Sequence, residues 1–148
     1  MTPQGRGILL VEDDEHDIFF MERAMVKANL DPPIHVATNG QDAIDYLRGV
    51  GKYPDRATYP LPGCIFLDLK LPFVHGFEVL EWLRSEPPPL RDINVLILTS
   101  SPEERDRQRA HELGAKAYLV KPPTPEKLLE ALKSFPECAP EREPARSA

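Results

Sequence analysis

Five short apolar runs recur along the chain: GILLVE at 7–12, PIHVA at 33–37, GCIFLD at 63–68, INVLILT at 93–99 and KAYLV at 116–120. This recurrence constrains the fold more than any other feature. Each run is compact, aliphatic and bounded by polar or turn residues, the signature of a buried strand. Between them the spacing turns helical. Residues 15–29 place Ile18, Met21, Met25 and Ala28 on one face with charges between them. An Asn39–Gly40 turn leads into QDAIDYLRGV, a short helix ended by Gly49 and Gly51. GFEVLEWLRS at 76–85 directs Phe77, Leu80 and Trp82 inward, and PEERDRQRAHELG at 102–114 closes on Gly114. The last helix, TPEKLLEALKSF, begins with a Thr cap and a Pro in its first turn. Strand and helix alternate five times. Near-continuous aliphatic strands alternating with helices imply a parallel sheet covered on both faces. Right-handed crossovers make it an α/β, three-layer (βα)5 doubly wound domain.

The chain's 148 residues suit one domain with a real core, and 41% hydrophobic with 28% charged residues argues against wholesale disorder. The expected division is an N-terminal extension at 1–6, the folded domain at 7–135 and a flexible C-terminal tail at 136–148, where apolar periodicity stops. The 17 prolines cluster between the patterned segments and punctuate them. A net charge of −6 argues against general nucleic-acid binding, which needs a concentrated basic surface. No signal peptide is evident and no apolar run approaches a membrane span, so a cytoplasmic protein is expected. Cys64, in an apolar segment, and Cys138, in the polar tail, are not a disulfide framework.

In an open parallel sheet, ligands bind beyond the carboxyl ends of the strands. Those ends carry a selected set: Glu12 and Asp13 after strand one, Asp68 after strand three, Thr99 at the end of strand four and Lys121 after strand five. Parallel strands exit on one side, so these residues converge. Carboxylates at contact distance repel by roughly 4 kcal/mol at an effective dielectric near 20, so three of them need a cation. An all-oxygen donor set without His or Cys favours a hard divalent ion, Mg2+ first. Lys121 and Thr99 add a positive charge and a hydroxyl, the parts that hold a phosphoryl group. A carboxylate beside them can accept that group as an acyl phosphate. The neighbouring Asp14, Glu15 and Asp17 are most simply helix-start charges, favoured by the macrodipole. His16, His35, His75 and His111 lack ligand spacing, and the arginines of the fourth helix are most simply a solvated face.

The set ILLVED, LDLKLP followed by GFEVL, VLILTS and AYLVKP resembles the receiver domain of bacterial response regulators over roughly residues 7–135. The resemblance implies a flavodoxin-like sheet of order 2-1-3-4-5. It implies a switch in which Asp68 is phosphorylated from a kinase's phosphohistidine. Asp13 and Asp68 would bind Mg2+ directly, Glu12 through water, and the backbone carbonyl of Lys70 would complete the protein ligands. Thr99 and Lys121 would engage the phosphoryl oxygens, with a cis peptide at Lys121–Pro122 aiming the lysine inward, and Tyr118 would swing inward as the readout. Lys70 and Ser101 occupy the positions two past Asp68 and Thr99 that tune dephosphorylation. The partner implied is a sensor histidine kinase or a histidine phosphotransfer protein. The acid pair Glu12–Asp13, the loop GKYPDRATYP and the ending ELGAKAYLVKP are similar to stand-alone regulators that partner bacterial phytochromes and related histidine kinases. Some of those dimerise through the fourth helix, fifth strand and fifth helix, which makes a homodimer one expectation. No output module is expected after the fifth helix. Two other classes share part of this set. A phosphatase of the haloacid dehalogenase type wants an acid two residues past its nucleophile, where this chain has Lys70. A phosphorylation-independent adaptor would not need all of Glu12, Asp13, Asp68, Thr99 and Lys121.

Overall fold

The computed structural model describes residues 7–72, 74–100 and 103–135. Five strands and five helices alternate: β1 Ile8–Val11, α1 Glu15–Lys27, β2 Ile34–Ala37, α2 Gly40–Arg48, β3 Cys64–Leu67, α3 Gly76–Arg84, β4 Asn94–Thr99, α4 Glu104–Glu112, β5 Ala117–Val120 and α5 Pro125–Leu132. All four strand pairings are parallel and the sheet order is β2-β1-β3-β4-β5, the order expected. The elements are shorter than the apolar runs by a residue or two, because strand-end and helix-end residues turn to other work. Residues 1–6, Ser101 and the segment 136–148 lie outside the described residues.

Alternation along the strands splits the core in two, as a sheet covered on both faces requires. Leu9, Val11, Ile65, Leu67, Val95 and Ile97 join Ala43, Leu47, Phe77, Leu80 and Leu83 under α2 and α3. Ile8, Leu10, Cys64, Phe66, Leu96 and Leu98 face Met21, Met25, Leu128 and Leu132 from α1 and α5. Ile18 and Ala28 pack at the margin of this second core, as their spacing predicts, and Trp82 at the margin of the first.

Two local features depart from expectation. Asn39 and Gly40 are not a free turn: the Asn39 side chain caps α2 by accepting from the Asp42 N–H, and Gly40 is the helix's first residue. A short 3-10 turn, Leu90–Asp92, precedes β4 within the proline-rich segment, and the Pro88–Pro89 peptide there is cis. Cys64, fully buried at the start of β3, is disulfide-bonded, and Cys138 lies outside the described residues. The long loop after α2 is ordered by Arg56, whose guanidinium donates to the carbonyls of Tyr46, Leu47 and Tyr59, and by packing among Tyr46, Tyr53 and Tyr59. Among the described residues, no helix is long and apolar enough to cross a membrane.

Candidate functional site

The chain leaves β1 for one side of the sheet and returns through β3 to build the other, so a crevice opens at the carboxyl ends of β1 and β3. Glu12 and Asp13 follow β1 directly and Asp68 follows β3. Ligand-capable oxygens of these three carboxylates all lie within 4.8 Å of one another. Glu12 is 1% exposed and Asp68 6%, while Asp13 faces solvent. The approach to Asp68 is tight. A Cβ at Gly76, the first residue of α3, would stand 2.5 Å from the Asp68 carbonyl oxygen, so only glycine lets α3 start this close.

Lys121 enters from the far side of the sheet. Its backbone N–H donates to the Thr99 carbonyl at 2.8 Å, and the Lys121–Pro122 peptide is cis. The ammonium is largely buried and meets three carboxylates: Glu12 Oε1 at 2.5 Å, Asp17 Oδ2 at 2.8 Å and Asp68 Oδ2 at 3.0 Å. Burial alone would lower the pKa of Lys121, but the hydrogen bonds to Asp17 and Glu12 and the charge of Asp68 outweigh it and hold the pKa above the usual range. Burial pushes the Glu12 carboxyl up to about 7; Asp68 adds to the rise, while Lys121 and the Asp14 N–H oppose it.

Asp17 is the site contact that composition and spacing did not disclose. A helix-start acid is favoured by the dipole wherever it points, so nothing local marks this one as paired with a lysine 104 residues away. Asp14 does behave as a helix-start charge. Its carboxylate caps α1, accepting from the backbone of His16 and Asp17, and these bonds hold its pKa below the usual range, that from Asp17 foremost. His75 likewise is structural: its Nδ1 accepts from the Phe77 N–H in a capping box completed by Glu78.

The remaining residues of the expected set lie around this centre. Lys70 donates its backbone N–H to Asp68 Oδ1 at 3.1 Å and exposes its side chain. Thr99 is fully buried at the end of β4, next to β3. Tyr118 sits half-buried on β5 with the Arg107 guanidinium 4.7 Å from its ring centre, so this arginine covers an aromatic face as well as meeting solvent. Between α4 and β5, Arg107, His111, Lys116 and Tyr118 line a groove of about 530 Å3.

The donor set fits a hard divalent cation. It is all oxygen, and it includes Glu12 Oε1, a buried atom turned into the cluster and met there by the Lys121 ammonium. Two buried carboxylates and an exposed one, met by one ammonium, leave the cluster short of positive charge.

The family profile for the response regulator receiver domain matches residues 8–133. The chain belongs to the response regulator receiver family. The probable methanogenesis regulatory protein FilR2 of Methanothrix harundinacea (strain 6Ac) is 37% identical over 134 residues, covering 88% of this chain and 81% of that protein. Among solved structures, the bacteriophytochrome response regulator AtBRR is 40% identical with a TM-score of 0.77, over 90% of this chain and 94% of its own. The Mn2+-bound form of response regulator Rcp1 is 32% identical with a TM-score of 0.72, over 88% and 93%. This receiver thus has single-domain response regulators of two-component systems as homologues, and phosphorylation on an aspartate is implied by its family.

Proposed function

We propose that this receiver is a phosphorylation switch, comprising residues 7–135, whose acceptor is Asp68. The observation that supports it best is the Lys121 ammonium, 3.0 Å from Asp68 Oδ2 at the edge of the crevice shared with Glu12 and Asp13. An Asp68 carboxylate oxygen attacks phosphorus in line. A new O–P bond forms as the P–N bond of a phosphohistidine breaks, and the imidazole leaves with the bonding pair. Lys121 meets charge developing on the equatorial oxygens, and Thr99 offers its hydroxyl to the same group. Glu12, Asp13, Asp68 and the Lys70 carbonyl are the groups that would hold Mg2+, and the ion would supply further neutralisation of the phosphoryl charge. Mg2+ rather than another ion rests on the donor chemistry, and the Mn2+-bound Rcp1 structure is in keeping with a hard divalent cation. Tyr118, beside Arg107, carries the change to the face formed by α4, β5 and α5, where a partner or a second copy would be engaged. The donor is a sensor histidine kinase, of phytochrome type by the similarity to AtBRR, or a histidine phosphotransfer protein.

The test is incubation with acetyl phosphate and Mg2+ followed by intact mass, for the wild type and Asp68→Asn. A phosphoryl adduct is expected on the wild type alone. An adduct on both variants would move the acceptor elsewhere, and none on either would favour a phosphorylation-independent adaptor.

A further inference from the structure

The Lys121 ammonium has three N–H groups, and three carboxylates stand within 3.0 Å of it. Those carboxylates are not equivalent. Glu12 and Asp68 belong to the cluster whose oxygens can share a metal ion, whereas Asp17 does not. A cation that draws Glu12 and Asp68 toward itself weakens two of the lysine's three contacts and leaves Asp17 as the partner that owes nothing to the metal.

The placement of Asp17 suits that duty. It lies in the first turn of α1, and its backbone N–H is fixed by the Asp14 cap at 3.2 Å. Its side chain is 32% exposed, so it keeps hydration that Glu12, at 2%, and Asp68, at 7%, have lost. An anion at a helix N-terminus is further favoured by the peptide dipoles. Its carboxylate is thus anchored through its own backbone and aimed at the lysine from outside the crevice. A helix-start acid with no further part would have no reason to spend its free oxygen on a residue 104 positions along the chain.

We infer that Asp17 is a positioning residue for phosphoryl transfer: it tethers the Lys121 ammonium beside Asp68, so that the remaining N–H groups can turn to an arriving phosphoryl oxygen. This inference rests on the assignment of Asp68 as acceptor and deepens it. Asp17 acts through Lys121 and touches no reacting atom. Losing it lets a four-carbon side chain swing, and a displacement of about 1 Å at such a centre costs on the order of a hundred-fold in rate.

Two measurements on the whole protein decide it. The first is the rate of adduct formation from acetyl phosphate with Mg2+, read by intact mass, for the wild type, Asp17→Asn, Lys121→Met and the double variant. Asp17→Asn, nearly isosteric, is expected to slow the reaction roughly ten- to a hundred-fold and to have no further effect once Lys121 is Met. A rate equal to or above the wild type's would overturn the inference, the latter showing that Asp17 competes with the phosphoryl group for the lysine. A further loss in the Lys121→Met background would also overturn it. The second is the nitrogen-15 NMR signal of the Lys121 ammonium in Mg2+ without phosphodonor. It is expected to be protected from exchange in the wild type and lost in Asp17→Asn; a signal retained in the variant, or absent from the wild type, would refute the tether. If the wild type takes up no phosphoryl group, the assignment of Asp68 fails, and the ammonium signal still decides the tether alone.

Discussion

Replacing Lys121 with methionine isolates the conflict at the centre of this fold. The substitution keeps the length and apolar stem of the side chain and deletes the one cation shared by Glu12, Asp17 and Asp68. Asp17 can rehydrate, but Glu12 and Asp68 are 1% and 6% exposed and cannot. Removing one member of a buried ion pair costs about 3–5 kcal/mol, because the other charge is left without water or partner. Glu12 has one escape, which is to take up a proton. Glu12 is already raised to about 7 with the lysine present, so below that pH it is neutral in both proteins and contributes little to the difference. The penalty should therefore be about 3–5 kcal/mol at pH 8 and roughly half of that at pH 6, where Glu12 no longer adds a stranded charge. For a chain of this size that is a fall in Tm of roughly 10 °C or more at pH 8. Urea unfolding followed by the fluorescence of Trp82, the chain's single tryptophan, measures it at both pH values in metal-free buffer. Added Mg2+ should raise the stability of Lys121→Met more than that of the wild type, since it replaces the missing positive charge. A variant as stable as the wild type at pH 8, or a loss that does not change with pH, would refute the reasoning.

Other outcomes follow from the same contacts. Because the folded protein holds Glu12 protonated above its ordinary value of 4.5, it binds more protons than the unfolded chain up to about pH 7. The stability of the metal-free wild type should therefore be greatest at the acid side of that window and fall as the pH rises through it, and Glu12→Gln should flatten the slope in urea titrations between pH 5 and 8. Mg2+ affinity, measured by calorimetry, should run the opposite way and rise with pH, since the ion competes with that proton. Arg84 donates to the carbonyls of Arg91, Ile93, Leu113 and Gly114, at 2.6, 3.1, 3.0 and 3.0 Å, joining α3 to the segments on either side of β4 and α4. Arg84→Met should cost about 2–4 kcal/mol in the same unfolding assay, as several charge-assisted bonds are lost together, without altering phosphoryl uptake per folded molecule. Lys70→Asn should change the lifetime of the acyl phosphate, since Lys70 stands two residues past Asp68 with its side chain free to face an attacking water; equal decay rates by intact mass would count against it.

Much of this was legible in the sequence, for a definite reason. A doubly wound sheet makes position along the chain equivalent to position in space: whatever ends a strand stands at the same edge. Once the five apolar runs were recognised, Glu12, Asp13, Asp68 and Lys121 could be gathered without coordinates, and the structure does bring them to one crevice. What stayed hidden were contacts made by helices and loops, where that equivalence fails. Gly76 looks like an ordinary helix start until the Asp68 carbonyl is seen 2.5 Å from where its Cβ would be. Arg56 and Arg84 look like solvated charges, yet each spends its guanidinium on backbone carbonyls of loops that no periodicity describes. Tyr118 was visible as a strand aromatic, but not the Arg107 that covers it.

The acid-rich stretch after β1 shows where the two kinds of information part. Glu12, Asp13, Asp14, Glu15 and Asp17 are one charge run by composition. In space they divide by what each can reach. Two join Asp68, one caps α1, one crosses to Lys121, and Glu15 stays an exposed acid of the first turn. Only the first pair could be derived, because strand ends have a rule and helix starts have a local one that is satisfied wherever the carboxylate points. Such a cluster is costly to an isolated fold, and the cost is informative. A site that only had to be stable would have replaced Glu12 with an apolar residue, since buried ion pairs seldom outperform hydrophobic packing. Keeping two buried carboxylates against one lysine makes sense when the deficit of positive charge is itself the binding energy for a divalent ion.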